Sequence, residues 1–287
     1  MTGETPQTAD DALLRAARAG DRAALEELLV RYQPRVYRFG MRMCGDVEDA
    51  SDVMQDTLLA MAQSLETFRG DASVSTWLYT IARRFCLRKR RKSTFAPTHE
   101  ESLDAADSRL AETLPSPAEP PDERVARREV ASAIDRAIGA LDPGQREVLV
   151  LRDIEGLSAR EVADVVGLSV DAVKSRLHRA RVAVRQALTP VLPDRFAPAP
   201  GPACPDVLTM LSKHLENDLP GSACAALEAH VSQCPSCQGA CDSLKRALAL
   251  CRETPARQMP SPAEPAVRDA VRRFLAGPRP ARAPARS

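Results

Sequence analysis

The segment at 157–188 constrains the fold most, because its spacing specifies two short helices joined by a tight turn. Ser158, followed three residues later by Glu161, forms a capping box and predicts where the first helix begins. Gly167 supplies the backbone freedom for the turn, and Ser169 can cap the helix that follows. The segment therefore predicts a helix-turn-helix.

The second helix of this motif separates apolar from basic side chains. Val173, Leu177 and Val184 follow helical spacing on one face. The basic residues stand away from that face with no acid between them, which favours contact with nucleic-acid phosphates over an ordinary solvated surface. The candidate DNA-contacting residues of this helix are Lys174, Ser175, Arg176, His178, Arg179 and Arg181.

Composition restricts the class of protein. The chain has 287 residues and a net charge of +1, so only the distribution of charge is informative about partners. The aromatic content of 3% and the abundance of Ala, Leu, Arg and Glu favour helices over strands.

No apolar run reaches the roughly 20 residues that span a bilayer, and no signal segment begins the chain, so we expect a cytoplasmic protein without a membrane partner. No phosphate loop, nucleophile with a base or general acid pair is found, and we expect neither an enzyme nor a small-molecule substrate.

Changes in composition divide the chain into folded parts and linkers. We predict an all-α protein in which two small helical domains, joined by a flexible linker rich in Pro, Ser and acids, are followed by a small helical zinc-binding domain. The predicted boundaries are 10–92 for the first helical domain, 93–121 for the flexible linker, 122–189 for the helix-turn-helix domain, 190–203 for a proline-rich linker, 204–252 for the cysteine-rich domain and 253–287 for a mostly disordered tail with one short helix.

Two helices of the first domain carry opposite charge. One is predicted from about Asp46 to Leu65 and has many acids; a later one holds the only tryptophan and ends in a basic run. Aromatic and basic side chains together suit single-stranded nucleic acid, because bases stack on flat rings while cations follow the phosphates. The alternative for the tryptophan is a place in the core. The candidate DNA-contacting residues of this helix are Trp77, Arg83, Arg84 and Arg88.

Five motifs in order, AGDRAALEELLVRYQPRVY, EDASDVMQDTLLAM, STWLYTIAR, LDPGQREVLVLRDIEGLS and VKSRLHRAR, resemble the extracytoplasmic-function (ECF) group of the sigma-70 transcription initiation factors. The resemblance implies that the first domain recognises the promoter −10 element and that the helix-turn-helix reads the −35 element. It also implies that Asp52, Gln55 and Asp56 lie on the helix that docks on core RNA polymerase. The expected partners are therefore core RNA polymerase and promoter DNA.

The cysteine pattern near the C-terminus predicts a metal site. His230, Cys234 and Cys237 follow a His-x3-Cys-x2-Cys spacing, and Cys204 can supply a fourth ligand. Four such ligands suit tetrahedral zinc. The pattern resembles a small zinc-binding anti-sigma domain.

Three further thiols remain in this part of the chain. Cys224, Cys241 and Cys251 are candidate members of a sensing site for copper or another thiophilic metal. The alternative for Cys241 and Cys251 is that both are small core residues, because they share one helical stripe with two leucines.

These observations predict a sigma factor that binds core RNA polymerase, directs promoter-specific initiation and is regulated in cis by a metal-binding or redox-sensitive C-terminal domain. Two alternatives remain open: a helix-turn-helix regulator that acts without polymerase, and a metal-dependent interaction module that sequesters another sigma factor. The sequence leaves open whether the C-terminal domain inhibits or activates.

Overall fold

The computed structural model describes residues 6–68, 70–95, 121–191 and 201–254. In these ranges the chain forms eleven α-helices and no β-strand, which confirms the predicted all-α fold. The helices fall into two compact units, the first containing most of the four N-terminal helices and the second the other seven. None of the described helices combines the length and apolar character needed to traverse a bilayer.

The two predicted linkers (93–121 and 190–203) and the predicted tail (253–287) lie mostly outside the described residues. The short helix predicted in the tail lies wholly outside them.

The first unit has a core of large apolar side chains between its helices. Asp46 caps the third helix by accepting a hydrogen bond from the backbone amide of Asp49 at 2.8 Å. Gly40 permits the second and third helices to approach, because a Cβ there would lie 3.1 Å from the Ala50 Cα. The elements of this unit are α1 (Pro6–Arg18), α2 (Arg22–Cys44), α3 (Val47–Ser64), a 3-10 turn (Leu65–Thr67) and α4 (Val74–Phe95).

The helix-turn-helix forms as the sequence predicts. The Ser158 hydroxyl accepts from the Glu161 amide while the Glu161 carboxylate accepts from the Ser158 amide, which completes the capping box. Gly167 has a φ of 73° and ends the first helix of the motif, and Ser169 caps the second. The elements here are α5 (Pro121–Gly139), α6 (Pro143–Leu149), α7 (Ala159–Val166), α8 (Val170–Leu188) and a 3-10 turn (Thr189–Val191).

Helix α6 continues into a wider turn that the sequence did not predict. Val150–Ile154 is a π-helix, in which the Glu155 amide donates to the Val150 carbonyl at 2.9 Å. This turn buries the carboxylate of Asp153 beside α8.

Three helices make up the C-terminal part: α9 (Val207–Leu215), α10 (Gly221–Gln233) and α11 (Pro235–Glu253). Asn217 ends α9 with a φ of 55°, the left-handed conformation that Asn tolerates better than most residues. Helices α9 and α11 pack against each other and against α8, so this part and the helix-turn-helix belong to one compact unit.

Candidate metal centre and nucleic-acid interface

Four potential ligands meet where α9, α10 and α11 come together. Cys204 precedes α9, His230 lies in the last turn of α10, and Cys234 and Cys237 lie at the start of α11. Their ligand atoms all lie within 4.8 Å of one another. Pro235, at the first position of α11, starts this helix directly after Cys234. The structure thus brings all four predicted ligands together.

The cluster has the dimensions of a tetrahedral metal site. Cys204 Sγ lies 3.9 Å from Cys234 Sγ, and His230 Nε2 lies 3.2 Å from Cys237 Sγ. Bonds of about 2.3 Å to sulfur and 2.0 Å to nitrogen would place adjacent ligand atoms of a zinc tetrahedron about 3.5 to 3.8 Å apart. Three thiols and one imidazole are also the donor types that zinc prefers. The residues present therefore fit zinc.

The two thiols at the start of α11 differ in acidity. A hydrogen bond from the backbone amide of Cys237 lowers the pKa of Cys234, as is typical of a thiol at a helix N-terminus. Burial, together with the neighbouring Cys204 and Cys234, raises the pKa of Cys237 to about 12. A cation would favour the thiolate form of both groups.

The remaining C-terminal cysteines occupy two environments. Cys241 and Cys251 are buried on the apolar stripe of α11. Burial raises the pKa of Cys241 and raises that of Cys251 to about 12, so both are protonated core residues in this arrangement. Cys224 is partly exposed, and its Sγ lies 3.5 Å from His214 Nδ1. Of the three predicted sensing thiols, Cys224 is the accessible one.

Some predicted DNA-contacting residues of α8 face outward. Ser175 and Arg179 are exposed. Arg176 is half-buried, and its guanidinium lies close to Gly144 near the start of α6. These residues are available at the surface of the motif.

Others on the same helix contact the C-terminal part. Lys174 Nζ donates to Asp218 at 2.6 Å. Arg181, expected on an exposed basic face, is buried and pairs with the carboxylates of Asp153 and Glu216. The expectation rested on the absence of acids within the motif, whereas Glu216 comes from the turn after α9.

His178 is the third predicted residue on the covered side. Its Nε2 lies 3.1 Å from Thr209 Oγ1. Burial lowers the pKa of His178 below its ordinary value of 6.5, although the charge of Asp206 acts in the opposite direction. The imidazole is therefore neutral at physiological pH.

Helix α4 presents the predicted aromatic and basic residues of the first unit. Trp77 is half-buried and stacks on Phe68, with ring centroids 4.4 Å apart. Arg83 is half-buried, and Arg84 and Arg88 are exposed. One aromatic surface and two exposed cations thus lie on one helix.

The predicted polymerase-binding residues lie on α3. Asp52 and Gln55 are exposed and Asp56 is half-buried. Arg88 donates to Asp56 at 2.7 Å, and Lys89 pairs with Asp52. Helices α3 and α4 therefore neutralise part of each other's charge at this surface.

Comparison with known proteins identifies the family. The chain matches Sigma-70 region 2 over residues 28–95, Sigma-70 region 4 over residues 131–184, and a zinc-finger family over residues 204–238. RNA polymerase sigma-H factor of Pseudomonas aeruginosa is 31% identical over 65% of this chain and 97% of its own length. ECF RNA polymerase sigma factor SigM of Mycobacterium tuberculosis is 32% identical over 65% of this chain and 88% of its own length. The chain belongs to the ECF sigma factors.

A further relative of this sigma factor has a solved structure. RNA polymerase sigma factor CnrH of Cupriavidus metallidurans is 34% identical over 61% of this chain and 92% of its own length. The structure of CnrH in complex with the cytosolic domain of CnrY matches with a TM-score of 0.46 and 30% identity, covering 63% of this chain and 97% of that chain.

Sequence reasoning missed the acids that bind the basic helix of this sigma factor. Asp153, Glu216 and Asp218 each pair with a basic residue of α8. Charge complementarity was the signal that could have found them. In the segment LENDLP, Glu216 and Asp218 are separated by a single residue, and the segment follows a helix with an excess of cations.

Proposed function

We propose that this sigma factor docks on core RNA polymerase through the acidic face of α3, contacts the −10 element with α4 and contacts the −35 element with α8. The observation that carries this proposal is the presence of Sigma-70 regions 2 and 4, in that order, in one chain. It acts in the cytoplasm, where promoter DNA and polymerase meet.

The surfaces of the two regions suit different forms of DNA. Helix α4 combines the half-exposed ring of Trp77 with the exposed cations Arg84 and Arg88, which suits a melted strand. Helix α8 presents Arg176 and Arg179 at the end of a helix-turn-helix, which suits the major groove of a duplex.

The C-terminal part is proposed to bind one zinc ion through Cys204, His230, Cys234 and Cys237 and to regulate the sigma regions in cis. Support comes from the close grouping of these four ligand atoms and from the zinc-finger family match. Zinc bound there would supply structural cross-linking of three helix ends. Copper or another thiophilic metal is the competing occupant, which metal analysis of the purified chain distinguishes.

In vitro transcription with the core polymerase of the source bacterium tests the sigma function. The full chain is expected to bind core enzyme and to start transcripts at defined promoters. A variant with Asp52→Asn and Asp56→Asn should lose core association. Asp11→Asn with Asp71→Asn removes two exposed acids outside α3 in the same unit and should leave association unchanged. Promoter binding without any association with core enzyme would favour the polymerase-independent regulator instead.

A further inference from the structure

Four residues of α8 share one side of the helix and contact the C-terminal part. Lys174, His178, Arg181 and Arg185 are spaced by four, three and four residues, which places them on one stripe. Each of them bonds to a residue of α9, of the turn that follows α9, or of α11. The stripe is therefore a docking surface for the C-terminal helices.

The centre of this surface is a buried cluster of charges. Arg181 is 1% exposed and donates to both carboxylate oxygens of Asp153, at 2.9 and 2.7 Å. It also donates to Glu216 at 2.6 Å and to the hydroxyl and carbonyl oxygens of Ser212, at 3.1 and 3.2 Å. The side chain of Glu216 is 4% exposed and accepts a further bond from Arg152 at 3.0 Å. Such a cluster is stable only when every charge is paired, as these are.

The edge of the surface is a weaker, partly exposed pair. Lys174 Nζ donates to Asp218, which lies two residues after Glu216. Asn217 between them has a left-handed conformation, and the Asp218 amide donates to the Lys213 carbonyl at 2.9 Å, so the chain turns here at the end of α9. Both carboxylates contact α8. A carboxylate bound to a guanidinium or ammonium group makes the charge-assisted hydrogen bonds that a DNA phosphate would make.

Size makes docking and groove insertion incompatible. A helix with its side chains is about 10–12 Å across, and the DNA major groove is about 12 Å wide. Helices α5, α6 and α7 also pack on α8, on the faces away from its basic stripe, but the groove has no room for further helices on the flank that carries Lys174 and Arg185. Helices α9 and α11 both pack along α8.

From these contacts we propose that the turn 216–218 and duplex DNA compete for the basic stripe of α8, so that the docked C-terminal domain holds this sigma factor off its −35 element. This rests on the proposed role of α8 in reading DNA and specifies how the C-terminal domain regulates it. Release of the C-terminal helices exposes Lys174 and Arg185 for phosphate contacts, whereas Arg181 keeps its bonds to Asp153.

A binding measurement on the full chain tests the competition. The probe is a 30-base-pair duplex of mixed sequence, with binding followed by fluorescence anisotropy at several salt concentrations. The variant with Glu216→Gln and Asp218→Asn is expected to bind about fivefold or more tightly than the unmodified chain. Its affinity should also fall more steeply with salt, because more phosphates are neutralised.

The matched control removes the same charge without touching the docking surface. Glu228 and Glu253 are exposed residues of α10 and α11, and the variant with Glu228→Gln and Glu253→Gln loses two acids from the same domain. It should bind the duplex like the unmodified chain. Equal gains in the two variants would mean that general charge alone is responsible and would overturn the proposal.

A cross-link gives a second, direct readout. A carbodiimide that joins adjacent amino and carboxyl groups should link Lys174 to Asp218 in the full chain, and mass spectrometry identifies the linked peptides. Saturating duplex should suppress this link. A chain that binds duplex while the link forms in undiminished yield would refute the competition. Neither measurement uses polymerase, so failure here is distinguishable from failure of the sigma function.

Discussion

Arg181 shows how one residue can serve folding and regulation at once. Its guanidinium is fully buried. Burial by itself would lower the pKa of Arg181, but hydrogen bonds and charges from Asp153 and Glu216 outweigh this effect, so the pKa is raised. The residue lies in the middle of a helix whose other cations are exposed or half-exposed. A charge in this place is stable only while the acids of both neighbouring segments surround it.

Removal of this guanidinium should loosen the second unit. In Arg181→Ala, the buried carboxylate of Asp153 loses its partner and that of Glu216 keeps only Arg152, so the free energy of opening α8 should fall by about 3 to 5 kcal/mol. Hydrogen exchange of the α8 amides measures it. Arg179→Ala removes an exposed cation two residues away and should change the exchange by less than about 0.5 kcal/mol. Equal protection in both variants would contradict the role of Arg181 as the buried anchor.

His178 reports on the docked state through its own titration. Thr209 Oγ1 donates to Asp206 at 2.6 Å, so its oxygen accepts from His178 Nε2. His178 Nδ1 is buried with no partner in the described part of the chain, and a proton there would lack an acceptor. Burial therefore lowers the pKa of His178, and the charge of Asp206 opposes this shift. The other charged groups that act on the ring are Arg181, Lys213 and Arg179.

The lowered pKa makes docking sensitive to acid. An undocked His178 faces solvent with an ordinary pKa near 6.5, so the docked state binds fewer protons. The contribution of the neutral ring is complete above pH 6.5 and is lost as the pH falls through the lowered, docked pKa. Titration by NMR, with the signal assigned through His178→Gln, should give a pKa below 6.5 in the full chain. The variant with Glu216→Gln and Asp218→Asn should shift it back up; a pKa of 6.5 or above in the unmodified chain would be contrary evidence.

At the scale of elements, the turn after α9 decides where the two acids point. Asn217 adopts a φ of 55°. A β-branched residue in this conformation costs about 1 to 2 kcal/mol more than Asn or Gly, because its Cβ crowds the following carbonyl. The turn, and with it the docking surface, depends on one backbone conformation.

Two substitutions at this position separate conformation from side chain. Asn217→Val should weaken docking and tighten binding of the mixed-sequence duplex by several-fold. Asn217→Gly keeps access to the left-handed conformation and should bind the duplex like the unmodified chain. Anisotropy titrations of the two variants side by side measure the difference, and identical affinities would show that the turn has no part in docking.

The elements themselves follow from local sequence, whereas their pairing does not. Ser158, Glu161 and Gly167 specify the helix-turn-helix through caps that act within a few residues, and all three behave as predicted. The burial of Arg181 depends on Glu216, which lies 35 residues away in sequence. Helical spacing reports which side chains share a face, but it carries no information on which distant segment covers that face. The π turn at Val150–Ile154 was likewise not predicted, and its Asp153 pairs with Arg181, which lies 28 residues further along the chain.

At the scale of the whole molecule, the metal cluster and the docking surface are built on the same two helices, α9 and α11. Cys204 leads into α9, which carries Ser212 and is followed by Glu216. Cys237 lies in the first turn of α11, whose Ser243 hydroxyl accepts from Arg185 at 3.1 Å. A cation that joins these chain segments fixes α9 against α11, and so fixes the two helices that lie along α8. Metal binding and docking are therefore expected to be linked.

Metal removal should for this reason release the DNA-reading helix. Purified chain is expected to hold about one zinc ion, because the cluster has four ligands and one tetrahedral centre. Chelation, or Cys234→Ser with Cys237→Ser, should abolish the Lys174–Asp218 cross-link and tighten binding of the mixed-sequence duplex by about fivefold. Cys224 lies in the same domain but outside the cluster, so the Cys224→Ser variant should retain both the zinc and the cross-link. If the metal is lost while cross-link and duplex affinity stay unchanged, the cluster stabilises its own helices alone, and the C-terminal domain docks without it.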